Sequence, residues 1–315
     1  MKKKILIIEN KQFLKNIFKK KLIKYDIHFK NFSSQKKFLD FSKLNNFYAI
    51  FCTFGLNFDK NVINNFKDLK YIVTPTTGTD HIDTLTCKNY GIKVISLKNK
   101  NFFLKNIAAT AELTWAMILA LSKNLISYSN DVIDKRKWNR DSYLNYDLKE
   151  SSIGIIGYGR IGKIIEKYAK AFGMNIFIYE KNKKKTYKSN KRFVSLKKVL
   201  SCNFITIHIP LKDNRDFFTK QNLKYLDKNS VLINTSRGDL FEERNFINFL
   251  KLKQFKGLGL DVLPSDVIWN KKLPSKFFFL KKLKKPIIVT PHIGGNTVET
   301  RIKTTEFIIN CFLKS

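Results

Sequence analysis

The stretch Ile153-Gly154-Ile155-Ile156-Gly157-Tyr158-Gly159-Arg160-Ile161-Gly162 constrains this chain more than any other. An apolar run enters three glycines at G-x-G-x-x-G spacing, and a helical pattern follows from Lys163 to Phe172. The glycines meet separate needs: one makes a tight turn, one lets backbone approach a pyrophosphate, and one lets helix and strand pack closely. The N–H groups and dipole of the helix start then bind the anion. Glu180 ends the next apolar run, Asn175 to Tyr179, 18 residues beyond Gly162. A carboxylate there holds both ribose hydroxyls of an adenosine half and repels a 2′-phosphate, so NAD is the expected cofactor.

A chain of 315 residues fits two domains, each with its own core. Up to about residue 97 apolar strands at Ile5–Glu9, Tyr48–Thr53, Tyr71–Thr76 and Lys93–Leu97 alternate with helical stretches. Such alternation predicts an open parallel sheet with helices on both faces. A helix from about Asn106 to Leu125 is apolar nearly all round, which predicts burial between domains or subunits. Ser127 to Ser151 reads as a polar linker. A second set of strands begins with the glycine motif and continues at Phe204–His208, Val231–Asn234, Gly257–Leu260 and Ile287–Thr290. The last helix, about Asn296 to Phe312, is expected to return to the first domain. Residues 1–99 plus 293–315 then form one domain, and 100–292 the other.

Composition narrows the function classes. The apolar run Ile5 to Ile8 stops at Glu9 and Asn10, too short for a signal peptide, and reads as a buried first strand. No uncharged run of 18 apolar residues exists, so no membrane span is expected. The four cysteines lie far apart without metal spacing, which points to a reducing cytoplasm and no structural metal. The formal charge of +35 is the footprint of a polyanion binder. Lysine is nevertheless scattered along the whole chain beside an excess of Asn, Ile and Phe, as an AT-biased codon pool would produce. No nucleic-acid motif accompanies it, so non-specific, salt-sensitive attraction is expected rather than a specific site. The lysine run 181–185 reads as a solvated loop.

Ligands of an open α/β sheet bind at the carboxyl ends of strands, which directs attention to polar residues just after apolar runs. Val231-Leu232-Ile233 leads to Asn234-Thr235-Ser236-Arg237-Gly238. Asp261 follows Leu258-Gly259-Leu260, with Asp266 five residues on. Ile287-Ile288-Val289 leads to Thr290-Pro291-His292-Ile293-Gly294-Gly295. Arg237 offers a guanidinium for a planar carboxylate, His292 an imidazole to move a proton, and Asp266 an acid to favour the imidazolium.

G-Y-G-R-I-G, N-T-S-R-G-D-L-F-E-E, G-L-D-V and T-P-H-I-G-G-N-T, in this order and spacing, resemble the D-2-hydroxyacid dehydrogenase family, nearest its phosphoglycerate dehydrogenase-like branch. The resemblance covers essentially the whole chain. It implies an α/β protein of two doubly wound parallel-sheet domains, a Rossmann NAD-binding domain inserted into a flavodoxin-like substrate domain. It further implies an NAD-dependent oxidoreductase of 2-hydroxy and 2-oxo acids, working as a homodimer, with the apolar helix from Asn106 available for the interface. By resemblance Arg237 binds the substrate carboxylate and carbonyl, and His292 is the general acid/base. The loop Thr77, Gly78 and Thr79 takes the other side of the carboxylate through backbone N–H groups. Cofactor contacts carry over to Thr77, Gly157, Gly159, Arg160, Ile161, Gly162, Glu180, Thr235, Ser236, Asp261, Gly294 and Gly295.

One departure stands out. The family pattern D-V-F-x-x-E-P carries a glutamate as partner of the histidine, whereas this chain has Asp261-Val262-Leu263-Pro264-Ser265-Asp266-Val267. Aspartate is one methylene shorter, so the loop moves inward, the contact lengthens or a water bridges it. The same change leaves open a rival reading, an NAD-sensing binding protein with weakened catalysis.

Overall fold

The computed structural model describes residues 2–181, 191–252, 255–266, 272–283 and 285–315. Short apolar runs pair in parallel in both halves of the chain, and parallel pairing requires a crossover between successive strands. Strands β1 (Lys4–Ile7), β2 (Asp26–Phe29), β3 (Ala49–Phe51), β4 (Tyr71–Val73) and β5 (Lys93–Ile95) form one sheet in the order β2-β1-β3-β4-β5. Helices α1 (Gln12–Lys21), α2 (Gln35–Leu44), α3 (Lys60–Asn65) and α4 (Thr84–Asn89) supply its crossovers, and a short α5 (Asn101–Leu104) follows.

Period-two alternation sends successive side chains of β1 into separate cores. Leu6 packs with Ile50, Ile72, Phe38 and Cys87 on one face. Ile5 and Ile7 pack with Phe51, Val73 and Phe18 on the other, where Ile308, Ile309 and Phe312 of the C-terminal helix (Val298–Leu313) join them. β2 escapes detection by sequence because Asp26 and His28 break its apolar run.

The second sheet comprises β6 (Ser152–Ile156), β7 (Asn175–Tyr179), β8 (Phe204–Ile207), β9 (Val231–Asn234), β10 (Gly257–Leu260) and β11 (Ile287–Val289), in the order β11-β10-β9-β8-β6-β7. Beyond β7 a single parallel bridge, Ile178 to Phe193, extends the edge. Register sets the heights at which strand ends deliver their side chains. Asn234 of β9 pairs with Leu260 of β10, and Leu260 with Val289 of β11, so Thr235, Asp261 and Thr290 leave the sheet level with one another.

Two expectations need correction. Helix α6 (Ala109–Ser122) is consumed by its own sheet: Ala111, Trp115, Met117, Ile118 and Leu121 join Ile153, Ile155 and Ile233 in one core. A Cβ on Gly259 would lie 3.2 Å from Met117, so the missing side chain is what lets α6 sit this close to β10. The span expected to be a polar linker opens with helix α7 (Leu125–Ile133), none of whose residues is buried. Its serines, asparagine and aspartate mask the apolar positions Leu125, Ile126 and Ile133. The stretch Asn101–Ser122 is long and apolar enough to cross a membrane by length and composition. From Ala109 onward its apolar residues serve the core shared with Ile153, Ile155 and Ile233.

The chain divides into two compact units, residues 2–107, 272–274 and 296–315 in unit 1, and the described parts of 108–266 and 275–295 in unit 2. Two of the crossings fall at 107/108 and 295/296, where the sequence reading placed them at 99/100 and 292/293, and residues 272–274, read from sequence with the second domain, cluster instead with unit 1. Both units are doubly wound. Strand order reverses between β1 and β3 in unit 1, and between β6 and β8 in unit 2. Of the lysine run, residues 182–185 lie outside the described residues.

Candidate active site

The carboxyl end of β6 runs into Gly157 at φ +93°, a left-handed turn that L side chains resist. A Cβ on Gly157 would fall 2.7 Å from the carbonyl oxygen of His208, just beyond β8, and one on Gly162 would fall 2.2 Å from the carbonyl oxygen of Gly157. Both positions are closed to any side chain. Gly159 differs: a Cβ there meets nothing within 4 Å. It precedes helix α8 (Arg160–Ala171), whose start has no side-chain cap and no acidic residue in its first turn. Donors of an uncapped helix start beside a side-chain-free approach suit a pyrophosphate. Arg160 opens α8, and burial pulls its pKa down, a cost that an anion bound there would offset. Ile161 packs against the unit's core.

Glu180, one residue past β7, accepts a 2.8 Å hydrogen bond from the Tyr158 backbone N–H. The Glu180 carboxylate thereby braces the glycine turn. Tyr158 is held at its other end too, its hydroxyl donating to Glu166. Glu166 is buried on α8, ion-paired with Arg192 and with Lys170 at 3.2 Å. Burial raises the carboxyl's pKa, but the bonds from Tyr158 and Lys170 and the charge of Arg192 outweigh it and hold the pKa low. Glu166 had no signal in the sequence, because its partners meet it only in the folded unit.

His208 was also missed. Burial pushes its pKa down to about 3, so the imidazole is neutral, and its buried Nε2 has no hydrogen-bond partner. It lies at the β6/β8 reversal, against the glycine turn. An orphaned polar atom and a side-chain-free approach at one switch point fit a bound dinucleotide.

Three adjacent strands deliver the remaining residues. Beyond β9, Asn234 Nδ2 donates to the Arg237 carbonyl at 2.9 Å, and Asn234 Oδ1 accepts from Ser236 N and Oγ at 3.0 and 2.8 Å. This tight turn aims Arg237, whose side chain is half-buried. Thr235 shares a buried 2.7 Å hydroxyl contact with Thr114. Beyond β10, Asp261 is 1% exposed and organises the turn after β11. Its Oδ1 accepts from Thr290 Oγ1 at 2.6 Å and Ile293 N at 2.8 Å, and its Oδ2 from Gly294 N at 2.8 Å. Burial raises its pKa, and these bonds offset only part of that. A Cβ on Gly294 would lie 3.0 Å from Asp261 Oδ2, while one on Gly295 meets nothing within 4 Å.

His292 Nδ1 stands 3.1 Å from Asp266 Oδ2, with side chains 22% and 11% exposed. This is ion-pair distance; Oδ2 has no aligned hydrogen bond, so the pair is charge proximity in this geometry. The shorter aspartate makes a direct contact. A Cβ on Gly238 would fall 2.0 Å from the Leu263 carbonyl, so only glycine lets the 261–266 loop come this near the Arg237 turn. His292 at φ +55° and Ser265 at φ +64° are both left-handed, strain of about 1–3 kcal/mol each that concentrates where geometry is imposed.

Thr77, Gly78 and Thr79 belong to unit 1, on the segment after β4. Thr76 Oγ1 donates to the Gly78 carbonyl at 2.7 Å, and Ile82 N to the Thr79 carbonyl at 2.9 Å, which fixes the loop within its own unit. Arg237, Asp266, His292 and the other cofactor candidates all belong to unit 2. Among the described residues no three His, Cys, Asp or Glu side chains gather as a metal site requires.

The family model of the D-isomer specific 2-hydroxyacid dehydrogenase NAD binding domain matches residues 115–294. A glyoxylate reductase of Thermococcus litoralis is 31% identical over 261 residues, 79% of this chain and 75% of the relative. A D-3-phosphoglycerate dehydrogenase of Bacillus subtilis is 29% identical over 267 residues, 82% of this chain but 48% of the relative, so the chain spans about half of that protein's length. Among solved structures, a D-lactate dehydrogenase from Aquifex aeolicus complexed with NAD and lactic acid superposes with a TM-score of 0.82 at 25% identity, over 98% of this chain and 95% of that one.

Proposed function

The chain belongs to the D-isomer specific 2-hydroxyacid dehydrogenase family, and from that membership we propose that it reduces a 2-oxo acid to a D-2-hydroxy acid, and the reverse, with Arg237, His292 and Asp266 as its working residues. It is an NAD-dependent oxidoreductase acting on the CH–OH group of hydroxy acids. The observation that carries the residue roles is the level exit of three neighbouring strands, which supplies a guanidinium, an imidazole and a carboxylate from one edge.

Arg237 donates a planar pair of N–H groups to the substrate carboxylate and polarises the adjoining carbonyl. His292 turns Nδ1 to Asp266, so the proton given to the carbonyl oxygen is carried on Nε2. Asp266 balances the charge of the imidazolium. In oxidation the neutral imidazole takes the hydroxyl proton. NADH, when bound, supplies the hydride chemistry at substrate C2, and the protein supplies orientation and charge. Gly157, Gly159, Gly162, the start of α8 and Glu180 hold the pyrophosphate and adenosine ribose. Thr235, Ser236, Asp261, Gly294 and Gly295 line the nicotinamide end.

The implied homodimer is better served by α7 than by α6. Leu125, Ile126 and Ile133, with Trp138, Leu144 and Tyr146 beyond, are large exposed apolar side chains in one stretch. The free cysteines support a reducing, cytoplasmic setting. NADH oxidation with glyoxylate, pyruvate and hydroxypyruvate tests the assignment; a folded, NADH-binding protein that turns over none of them, nor any other 2-oxo acid, would overturn it.

A further inference from the structure

Asp266 has a short side chain, so its 3.1 Å contact with His292 depends on where the 261–266 loop sets its backbone. Within unit 2 that loop is tied to the segment around Arg237 at three points. Asp261 N donates to the Asn234 carbonyl at 2.9 Å. Gly238 gives the Leu263 backbone its close approach. Ser265 N donates to Asp239 Oδ1 at 2.8 Å. The loop also closes on itself, Asp266 N donating to the Leu263 carbonyl at 3.0 Å.

The tie through Asp239 is the one next to Asp266. Ser265 is left-handed at φ +64°, a conformation that a non-glycine residue keeps only where its surroundings hold it. An N–H given to a carboxylate is a strong hold, because the acceptor carries charge. Asp239 is itself half-buried, in a short 3-10 helical turn, Gly238–Leu240, that directly follows Arg237. The backbone there is pinned in turn: the Asp239 carbonyl accepts from Asp216 N at 3.1 Å and the Leu240 carbonyl from Phe218 N at 2.9 Å. Burial raises the Asp239 pKa, the bond from Ser265 and the charge of Arg215 oppose that, and the charges of Asp266 and Asp216 add to it. Carboxylates near enough to feel each other repel, so Asp239 and Asp266 are brought together by the Ser265 bond and the Gly238 contact, against their charges.

Resting on the roles proposed for His292 and Asp266, we propose that Asp239 is a positioning residue: by accepting from Ser265 N it sets the loop so that Asp266 reaches His292, and it couples that acid to the turn that aims Arg237. Asp239→Ala removes the acceptor, whereas Asp239→Asn keeps an oxygen at Oδ1 without the charge. In the full chain, kcat for 2-oxo acid reduction should fall about tenfold in the alanine protein, with KM for the oxo acid and NADH affinity nearly unchanged, and the asparagine protein should recover most of the loss. An unaltered kcat in the alanine protein overturns the proposal, whether or not KM rises. So does an asparagine protein as slow as the alanine one, which assigns the effect to charge. Should the alanine protein not fold, amide hydrogen exchange of the unaltered protein decides: a Ser265 N–H protected like that of Asp261 supports the proposal, and exchange at the rate of an unstructured peptide overturns it. Absence of turnover with every 2-oxo acid, beside a protected Ser265 N–H, is a different result and removes the dehydrogenase reading, not the clamp.

Discussion

The two units place the same topological feature to opposite use. In unit 2 the strand-order reversal is left open: Gly159 has empty space where a side chain would be, and α8 begins uncapped. In unit 1 the corresponding turn after β1 is closed by Glu9, which takes the backbone donors and is neutralised by Arg301. A parallel sheet thus provides a crevice wherever its order reverses, but one side chain decides whether that crevice welcomes an anion. The residues we propose for proton transfer and carboxylate binding, His292 and Arg237, both belong to unit 2.

That division fails first if His292 is dispensable. His292→Ala should lose on the order of 10²–10⁴ in kcat for 2-oxo acid reduction, measured by NADH absorbance, with NADH affinity retained; near-normal turnover would move the chemistry elsewhere. Arg237→Lys keeps the charge but loses the planar fork, and kcat/KM should fall by about 10², again without weakening NADH. Equal activity in the lysine protein would remove Arg237 from the carboxylate.

A smaller change tests the contrast itself by copying unit 1 into unit 2. Gly159→Asp places a carboxylate at the start of α8, where a Cβ meets nothing. Fluorescence titration should show NADH binding about tenfold weaker at an almost unchanged melting temperature. Unweakened binding would mean the pyrophosphate lies elsewhere.

The smallest effect concerns His208. Its folded pKa, about 3, lies below the ordinary 6.5, so the native state resists protonation. The stability this represents is complete above about pH 6.5 and is lost as pH falls toward 3. Between pH 7 and 5.5 the unaltered protein should lose about 1 kcal/mol more of its unfolding free energy, measured by denaturant titration, than His208→Gln. Equal losses in the two proteins would show that the imidazole is solvated in the native state.

Much of this was legible along the chain because its causes are local. The strand at Val231–Asn234 and the turn through Arg237 depend on neighbours a few residues away, as does the glycine pattern of β6 and α8. Sequence misjudged 127–151 because polar residues on an exposed helix look like a linker, and α7 buries nothing that would set a period. It also misplaced α6, since an apolar helix does not announce which surface it covers.

Two doubly wound α/β units, a dinucleotide turn at Gly157–Gly162, and the strand-end identities of Arg237, Asp261 and His292 were all written in the order of residues alone. What those residues meet was settled by folding. The 3.1 Å approach of Asp266 to His292 exists because a side-chain-free Gly238 admits the Leu263 backbone. Asp261 became the anchor of a turn some thirty residues later, and Glu9 met Arg301 across 292 positions. Spacing and periodicity encode what a segment does with its own neighbours; ion pairs and close backbone approaches between distant segments are set by register and packing, which no local pattern contains.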